Sequence, residues 1–380
     1  MKLFNFDFVH APSFRQRKLA FSALNFRGYH LSPFTLLLAA SMLFACCKPD
    51  NPAPEPAPDE KIEMPRYIAA DGGKIYVTCY RPASVIRIDT ATREVEAKCL
   101  LGTYNPEGIV VAGGKMFAVS SWNQTENGAF LYDDKVYVID LATFTVSTTI
   151  TVGLNPQRVK ILDDGHVIVN YNGNYVDQPA GTAIIDVNTL SVKQTGQPMA
   201  SMSVFGGKVY GYSNTYDADW NSVVEYVCYD PAVDSVTKIV CREERPYSIN
   251  VINGKIYLTT DGNYRTNGDV MCFELMGDSL VMNWQSEAGM LPNKMEPIGD
   301  GNAYVLNEGN YGSNNSSLSL INLASGAIEN DVFSTAYGRG LGDLAQDVVV
   351  YGAKAYITVS TSNTIEVMNL TDNKSIQIKL

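Results

Sequence analysis

Short runs of alternating apolar residues follow glycine-containing turns at nearly regular intervals along the chain. Seven of these runs share one pattern: GGKIYVT (72–78), GGKMFAV (113–119), DGHVIVN (164–170), GGKVYGY (206–212), NGKIYLT (253–259), DGNAYVL (300–306) and GAKAYIT (352–358). Equivalent positions in consecutive runs are 41 to 52 residues apart. Self-similarity at such a period is the signature of a repeat architecture.

Each repeat contains several short β segments. A second apolar run leads into an Asp or Asn turn, as in VIRIDTAT and VYVIDLAT. The repeats open with a proline or, in the seventh, with Leu341-Gly342-Asp343; the prolines are Pro65, Pro106, Pro156, Pro198, Pro246 and Pro292. The pattern indicates four strands per unit and no amphipathic helix.

A four-stranded unit of about 40–50 residues is typical of a propeller blade. We therefore predict an all-β fold, a single seven-bladed β-propeller of four-stranded blades covering residues 63–380. An open β solenoid is the runner-up, and it would need end caps that the sequence does not show. Because no repeat is split between the two termini, we expect the ring to close by packing of blade faces.

The first 62 residues have a different character. Residues 35–45, TLLLAASMLFA, form an apolar run that is too short to span a bilayer but has the length of a signal-peptide core. The run ends in Leu43-Phe44-Ala45-Cys46, which resembles the bacterial lipobox. We expect residues 1–45 to be a signal peptide and Cys46 to be the lipidated residue. An ordinary secreted protein with a chance cysteine remains the alternative.

The segment after Cys46, CKPDNPAPEPAPDEK, is rich in proline and acidic residues. Such a composition cannot bury apolar surface, so residues 46–62 are predicted to form an extended tether. Acidic residues soon after the cysteine also resemble the surface-export signals of Bacteroidetes lipoproteins. We expect a location at the outer membrane, on the cell surface, with membrane contact only through the lipid anchor.

Net charge limits the class of partner. The chain carries −11 overall, whereas residues 1–45 hold five basic residues and one acidic residue, so the remaining chain carries −15. Such an acidic surface repels phosphate backbones. Nucleic-acid binding is therefore not expected.

The residue types that carry most catalytic chemistry are scarce. His10 and His30 lie in the leader, which leaves His166 as the single histidine of the mature chain. Histidine-rich zinc sites and Ser/His/Asp hydrolase sites both depend on histidine, and only one histidine remains. We therefore predict no enzyme activity and no cofactor. A hydrolase or lyase that uses only carboxylates remains an open alternative, because Asp and Glu pairs form only in three dimensions.

Metal ligands and disulfides are also not indicated. Residues 217–221, DADWN, open like a calcium loop but lack the glycine at the sixth place and the carboxylate at the twelfth, so no metal is predicted. Cys79, Cys228 and Cys272 lie in apolar β-like runs, where free buried thiols are expected.

Candidate binding residues lie in the loops between the second and third strands of the blades. In a propeller these loops and the connections between blades share one face, around the mouth of the central channel. Gly-Asn-Tyr recurs there at 173–175, 262–264 and 309–311. Glycine permits the turn, Asn tolerates left-handed backbone and offers an amide, and Tyr presents a flat face with a polar tip.

Tyr, Trp and Asn with few charges suit a large, partly planar, amide-rich or hydroxyl-rich ligand. The predicted ligand-binding residues are Tyr80, Trp122, Asn123, Tyr171, Asn174, Tyr175, Tyr216, Trp220, Tyr264, Arg265, Asn310 and Tyr311. Residues predicted to lie between blades and to rim the channel are Arg66, Glu107, Arg158, Tyr247 and Lys294. Alternatively, each Tyr packs on the next loop and the rim residues pair between blades.

The repeats, with turns such as IDTATREV and VIDLATFTV, resemble YVTN-type (YncE-like) seven-bladed propellers. Residues 304–333 and 338–370 look like the signature of a Bacteroidetes lipoprotein family of such propellers, which includes a BtuG-type group. This resemblance implies capture of a bulky nutrient, with cobalamin or another corrinoid as the leading candidate, and its transfer to a TonB-dependent transporter. A glycan-binding or protein-interaction propeller is the alternative.

Overall fold

The computed structural model describes residues 61–216, 222–371 and 374–380. The expected signal peptide, the lipidation at Cys46, nearly all of the tether, Trp220 and the calcium-like segment 217–221 lie outside these residues. None of the helices in the described ranges is long and apolar enough to cross a membrane.

The described residues form seven antiparallel sheets arranged as the blades of a propeller. Blade one contains β1 (Glu63–Asp71), β2 (Lys74–Arg81), β3 (Ser84–Asp89) and β4 (Val95–Leu100). Blade two contains β5 (Asn105–Ala112), β6 (Lys115–Gln124), β7 (Phe130–Tyr132), β8 (Lys135–Asp140) and β9 (Thr145–Thr151). Blade three contains β10 (Pro156–Ile161), β11 (Val167–Tyr171), β12 (Gly181–Ile185) and β13 (Val192–Gln194).

The remaining four blades repeat the same order. Blade four contains β14 (Ser201–Phe205), β15 (Lys208–Tyr216), β16 (Ser222–Asp230) and β17 (Ser235–Ile239). Blade five contains β18 (Pro246–Ile252), β19 (Lys255–Thr260), β20 (Asp269–Met276) and β21 (Ser279–Glu287). Blade six contains β22 (Pro292–Gly299), β23 (Asn302–Asn307), β24 (Ser317–Asn322) and β25 (Ile328–Glu329). Blade seven contains β26 (Ala345–Tyr351), β27 (Lys354–Val359), β28 (Thr364–Asn369) and β29 (Ser375–Lys379).

The predicted fold is confirmed: seven four-stranded antiparallel blades form a nearly all-β propeller. Each of the seven repeated runs is the second strand of a blade, and the turn before it joins that strand to the innermost one. The expectation of no helix was wrong in one connection, where residues Val332–Tyr337 form α1 between blades six and seven. Burial of Phe333 holds this helix on the propeller body.

Blade two has one strand more than predicted. The connection between its second and third main strands, residues 120–134, is a β-hairpin, because β6 continues to Gln124 and pairs with β7. Its tip is closed by the backbone amide of Thr125, which donates to the carbonyl of Ala129 at 2.9 Å. Trp122 and Asn123 therefore lie in a strand rather than in a loop.

Apolar side chains on both faces of each blade pack against the neighbouring blades. In blade one, Ile75, Val77, Ile86 and Ile88 are fully buried and pack with apolar residues of blade seven, which include Tyr356. Burial on both faces explains why these strands are apolar throughout rather than alternating.

The ring closes by packing of blade seven against blade one, as predicted. The backbone amide of Ile68 in β1 donates to Asp347 Oδ2 in β26 at 2.9 Å. At the two ends of the same interface, Met64 N donates to Asn363 Oδ1 and Gly73 N donates to the Tyr351 hydroxyl, both at 2.8 Å. These bonds join residues almost 300 positions apart in sequence and fix the register between the first and last blades.

The buried carboxylate of Asp347 is expected to be critical for this closure. Besides Ile68 N, it accepts from Lys294 Nζ of blade six at 2.6 Å. We expect Asp347→Ala to lower the free energy of unfolding by about 3–5 kcal/mol, because it removes the nearest carboxylate of the Lys294 ammonium and the acceptor of the Ile68 and Val348 amides. Urea denaturation of the soluble domain measures this.

A surface pair provides the matched control for that experiment. Lys238 and Glu225 form an ion pair of 2.6 Å that is largely exposed. Glu225→Ala should change stability little, because exposed ion pairs contribute little. Equal losses in the two variants would contradict the role given to Asp347.

Candidate functional site: the loop face and the central channel

The propeller has two different faces. The connections between blades hydrogen-bond to the loops that join second and third strands; Leu101 N donates to Ala83 O, and Val152 N donates to Asp134 O, both at 2.9 Å. We call this side the loop face. The turns before the second strands and after the third strands lie on the opposite side, the turn face. The first described strand starts at the loop face, where Glu63 pairs with Arg81.

The three Gly-Asn-Tyr segments need glycine for a steric reason. Gly173, Gly262 and Gly309 have φ values of 66°, 55° and 78°. A Cβ atom on Gly173 would lie 2.0 Å from Gln178 O, and one on Gly262 would lie 2.6 Å from Asn267 O. The predicted role of glycine in these loops is thus confirmed.

The asparagines of these segments order their own loops. Asn174 Oδ1 accepts from the backbone amides of residues 176, 177 and 178 at 2.9–3.0 Å, and its Nδ2 donates to Asp177. Asn310 Nδ2 donates to the carbonyl of Tyr264 at 3.3 Å and so links the loops of blades five and six. Asn123 Nδ2 donates to Thr103 O at 2.7 Å. Three predicted ligand amides therefore make hydrogen bonds that hold loops in place.

Five aromatic rings from blades one to three form a continuous row on the loop face, which we call the aromatic ridge. Its members are Tyr80, Trp122, Phe130, Tyr132 and Tyr175. Consecutive ring centroids are 6.0, 5.5, 6.5 and 6.3 Å apart, within the range of favourable aromatic pairs. The ridge joins three predicted residues to two that the sequence reasoning missed.

The outer part of the ridge is open to solvent. Phe130 is 48% exposed and Tyr175 is 69% exposed, and Val176, the residue after Tyr175, is 89% exposed. Exposed aromatic rings of this kind are typical of a binding surface. Tyr80, at the inner end, is buried, and Trp122 is half-buried rather than the exposed anchor that its predicted loop position suggested.

A second aromatic group lies on the loops of blades five and six. Tyr264 is 39% exposed and makes an edge contact with Tyr247, with ring centroids 6.2 Å apart. Tyr311 is 57% exposed, and Arg265 is exposed beside Tyr264. The structure thus places Tyr264, Arg265 and Tyr311 where the sequence predicted them.

Tyr171 has a structural role instead of the predicted binding role. Its ring occupies the space above two glycines, and a Cβ atom on Gly153 or Gly181 would lie 2.5 or 2.4 Å from it. Its hydroxyl donates to Gln194 Oε1 at 3.0 Å within blade three. Tyr216 is the last residue of β15, and Trp220 follows in the undescribed segment.

Charged residues line the central channel in pairs. Arg66 Nε and Nη2 donate to Glu107 Oε2 at 3.3 and 3.2 Å, and the guanidinium lies 4.8 Å from the centroid of the Tyr80 ring. The Tyr80 hydroxyl donates to the other oxygen of the buried Glu107 carboxylate. Blades one and two are joined by these contacts, directly beneath the inner end of the aromatic ridge.

Similar contacts join the other blades around the channel. The Tyr247 hydroxyl and Gln346 Nε2 each donate to Glu308 at 2.6 Å. Lys294 binds Asp347, as described above, and Arg158 Nη1 of blade three donates to the hydroxyl of Tyr67 in blade one.

The predicted rim residues therefore lie on innermost strands rather than in the connections between blades. Arg66 is in β1, Glu107 in β5, Arg158 in β10, Tyr247 in β18 and Lys294 in β22. The alternative reading, hydrogen bonding and ion pairing between blades, is confirmed for all five.

The channel tyrosines stay protonated at neutral pH. Burial, opposed in part by Arg158, raises the pKa of Tyr67 to about 12. Burial also raises the pKa of Tyr80 and of Tyr247 well above the usual value, and the adjacent Glu107 and Glu308 carboxylates act in the same direction. The Tyr80 and Tyr247 hydroxyls are therefore donors that hold the Glu107 and Glu308 carboxylates, while the Tyr67 hydroxyl accepts from Arg158.

Other residues with candidate chemistry lie away from the loop face or are buried. His166 is in the turn before β11 on the turn face, with its ring nitrogens 3.1 Å from Asp164 and 3.5 Å from Asp186. Cys79, Cys228 and Cys272 are buried free thiols, as predicted. In the described part of the chain, no three His, Cys, Asp or Glu side chains are grouped so that they could hold a metal ion.

One family model matches part of the chain. Residues 301–377, which comprise most of blade six and nearly all of blade seven, match the family model described as "Domain of unknown function (DUF5074)". A search of curated proteins finds no significant match.

Similar solved structures agree on the architecture. Hydrazine synthase from Kuenenia stuttgartiensis is 14% identical, with a TM-score of 0.58 over 86% of this chain and 99% of the other. The Cps50 (Swd1) β-propeller domain of Myceliophteria thermophila is 8% identical, with a TM-score of 0.54 over 84% and 97%. Dihydro-heme d1 dehydrogenase NirN, in complex with DHE, is 14% identical, with a TM-score of 0.51 over 83% and 75%. At these identities the likeness shows the fold alone, a β-propeller.

Proposed function

We propose that this protein is a non-enzymatic lipoprotein of the outer-membrane surface whose loop face captures a bulky nutrient and passes it to a TonB-dependent transporter. Cobalamin or another corrinoid is the leading candidate ligand. The observation that carries the proposal is the aromatic ridge, together with Tyr264 and Tyr311 on the same face of the propeller.

The physical support is the suitability of these rings for a large, partly planar ligand. Aromatic side chains offer much contact area and lose little conformational entropy on binding. Asn174 accepts from the backbone amide of Gln178 and Asn310 donates to the carbonyl of Tyr264, so the loops that carry the tyrosines are ordered before any ligand arrives. A preformed surface binds more tightly because less has to be ordered on binding.

The channel residues support binding rather than catalysis. Glu107, Glu308 and Asp347 are each engaged by two or more donors from the protein itself. Tyr67, Tyr80 and Tyr247 are held protonated by burial. We infer that these groups maintain the ring rather than transfer protons.

A protein partner is a second candidate for the loop face, and one observation favours it. Val176, which follows Tyr175 of the ridge, is an aliphatic residue that is 89% exposed. Aliphatic side chains complement an apolar protein surface better than they complement sugar hydroxyls. Failure of small ligands to bind would favour a protein partner.

The most direct binding experiment uses the colour of the ligand. Protein lacking residues 1–47 is mixed with cyanocobalamin and desalted, and we expect it to stay pink. Calorimetry then gives the Kd. A colourless protein that releases no heat would exclude the corrinoid and direct the search to glycans and to a protein partner.

Alanine variants locate the binding face. Trp122→Ala, Tyr175→Ala, Tyr264→Ala and Tyr311→Ala should each weaken binding, with a loss of about 2 kcal/mol or more at a principal anchor, roughly a thirtyfold rise in Kd. Phe205→Ala is the matched control, because Phe205 is 40% exposed on the turn face. Binding that is indifferent to all four variants, or weakened only by Phe205→Ala, would place the ligand elsewhere.

The anchor is tested in cells grown with an alkyne-labelled fatty acid. We expect Cys46→Ser to abolish labelling of the protein, because the lipid is attached to that sulfur. Cys47→Ser, a change in the adjacent cysteine, should leave labelling intact. Label that survives Cys46→Ser would contradict the proposed anchor.

A further inference from the structure

Asp343 is a buried carboxylate on the loop face, outside the residues proposed to contact the ligand. It lies in the connection that leads into β26 and is 9% exposed. The backbone amide of Gly312 donates to its Oδ2 at 2.9 Å, and the backbone amide of Asn314 donates to its Oδ1 at 3.3 Å. The connection into blade seven therefore holds the tip of the blade-six loop, residues 308–316, which carries Tyr311.

The position of Asp343 is fixed by the backbone around it. Asp343 N donates to Ser362 Oγ at 2.9 Å, and Thr361 N donates to Asp343 O at 3.2 Å. On the other side, Ser316 N donates to the carbonyl of Gly342 at 3.1 Å. Gly342 has a φ of 131°, and a Cβ atom there would lie 2.7 Å from Ser362 Oγ, so only glycine allows this close approach. The carboxylate is thus held in place from both sides.

The other two Gly-Asn-Tyr loops are closed by side chains of their own. In blade three, Asn174 accepts from three backbone amides of its own loop. In blade five, Asp261 Oδ1 accepts from Asn263 N at 2.8 Å. The loop of blade six is different, because part of its closure comes from another connection.

The tip of the blade-six loop needs this external acceptor. Its internal side-chain bond, from Asn310 N to Asn315 Oδ1 at 2.8 Å, closes the base of the tip. Gly312 and Asn314, which follow Tyr311, both have left-handed backbone, with φ values of 74° and 52°. That conformation is costly for a residue other than glycine, so it persists only where surrounding contacts stabilise it. The two hydrogen bonds to Asp343 supply that stabilisation.

We propose that Asp343 is a positioning residue for the loop-face site: its carboxylate holds the blade-six loop in the shape that presents Tyr311 to the ligand. Tyr311 is 57% exposed, so its ring is available for contact. Hydrogen bonds to a carboxylate are stronger than those to a neutral acceptor, and a loop that is ordered in advance costs less to bind. The ligand contact rests on the function proposed above, whereas the order of the loop can be measured without any ligand.

The first test is amide hydrogen exchange, followed by NMR, of the protein lacking residues 1–47 without ligand. Asp343→Ala removes both acceptor oxygens, so we expect the amides of Gly312 and Asn314 to exchange about tenfold faster. The nearly isosteric Asp343→Asn leaves only one acceptor oxygen and should speed exchange of at least one of these amides. Residues 174–178 should not change in either variant.

Asp331→Asn is the matched control for Asp343→Asn. Asp331 is an exposed carboxylate in the same connection between blades, and its side chain makes no capping hydrogen bond to α1. We expect exchange of the blade-six loop to be the same in this variant as in the unsubstituted protein. Unchanged exchange of the Gly312 and Asn314 amides in both Asp343 variants would overturn the proposal.

The second test separates positioning from general support of the fold. With cyanocobalamin as the probe, Tyr311→Ala should raise the Kd of the unsubstituted protein but change that of Asp343→Ala by less than about twofold. Tyr175→Ala, in blade three, should have its full effect in both backgrounds. A full effect of Tyr311→Ala in Asp343→Ala would contradict the positioning role. Should the unsubstituted protein not bind cyanocobalamin, the proposed ligand is wrong, and the exchange measurement alone decides whether Asp343 orders the loop.

Discussion

Convergence of seven innermost strands on one axis is the constraint on which the rest of this structure depends. Polar side chains from different blades meet in the channel, where partial burial makes an unpaired charge costly. Arg66 meets Glu107, Tyr247 meets Glu308, and Lys294 meets Asp347 in consequence. The same contacts join adjacent blades, so the channel charges and the closure of the ring form one system. Asp347 shows this most clearly, since it holds Ile68 of the first blade and Lys294 of the sixth.

The loop face is built on this closed ring. Tyr80 belongs to both, because its hydroxyl donates to Glu107 in the channel and its ring is the inner end of the aromatic ridge. The shape of the Gly-Asn-Tyr loops is set locally. It depends on glycines with left-handed backbone and on asparagine side chains that hydrogen-bond to backbone amides. The binding surface thus combines a position fixed by the ring with a shape fixed by local turn chemistry.

The sequence predicted the blades well because their signals are local. A turn glycine followed by an apolar run marks the second strand of every blade, and period and alternation do not depend on distant residues. The hairpin of blade two was missed, although Gly128 followed by Phe130, Leu131 and Tyr132 is a hairpin signal in retrospect.

The candidate site was predicted only in part. The spacing of residues along the chain does not indicate which side chains of different blades meet in the folded structure. Tyr171 and Tyr175 are four residues apart, yet one ring fills a space left by Gly153 and Gly181 while the other is exposed. The sequence analysis missed Tyr67, Glu308 and Asp347. Each forms its hydrogen bond between blades with a residue 61 to 279 positions away in the chain.

Hydrogen exchange with and without cyanocobalamin tests the central claim, that the aromatic loop face is the binding surface. We expect the ligand to slow exchange in peptides covering residues 122–132, 172–178 and 261–266, and to leave the turn-face residues 71–74 and 163–166 unchanged. Protection confined to the turn face, or no protection at a ligand concentration that saturates the protein, would contradict it.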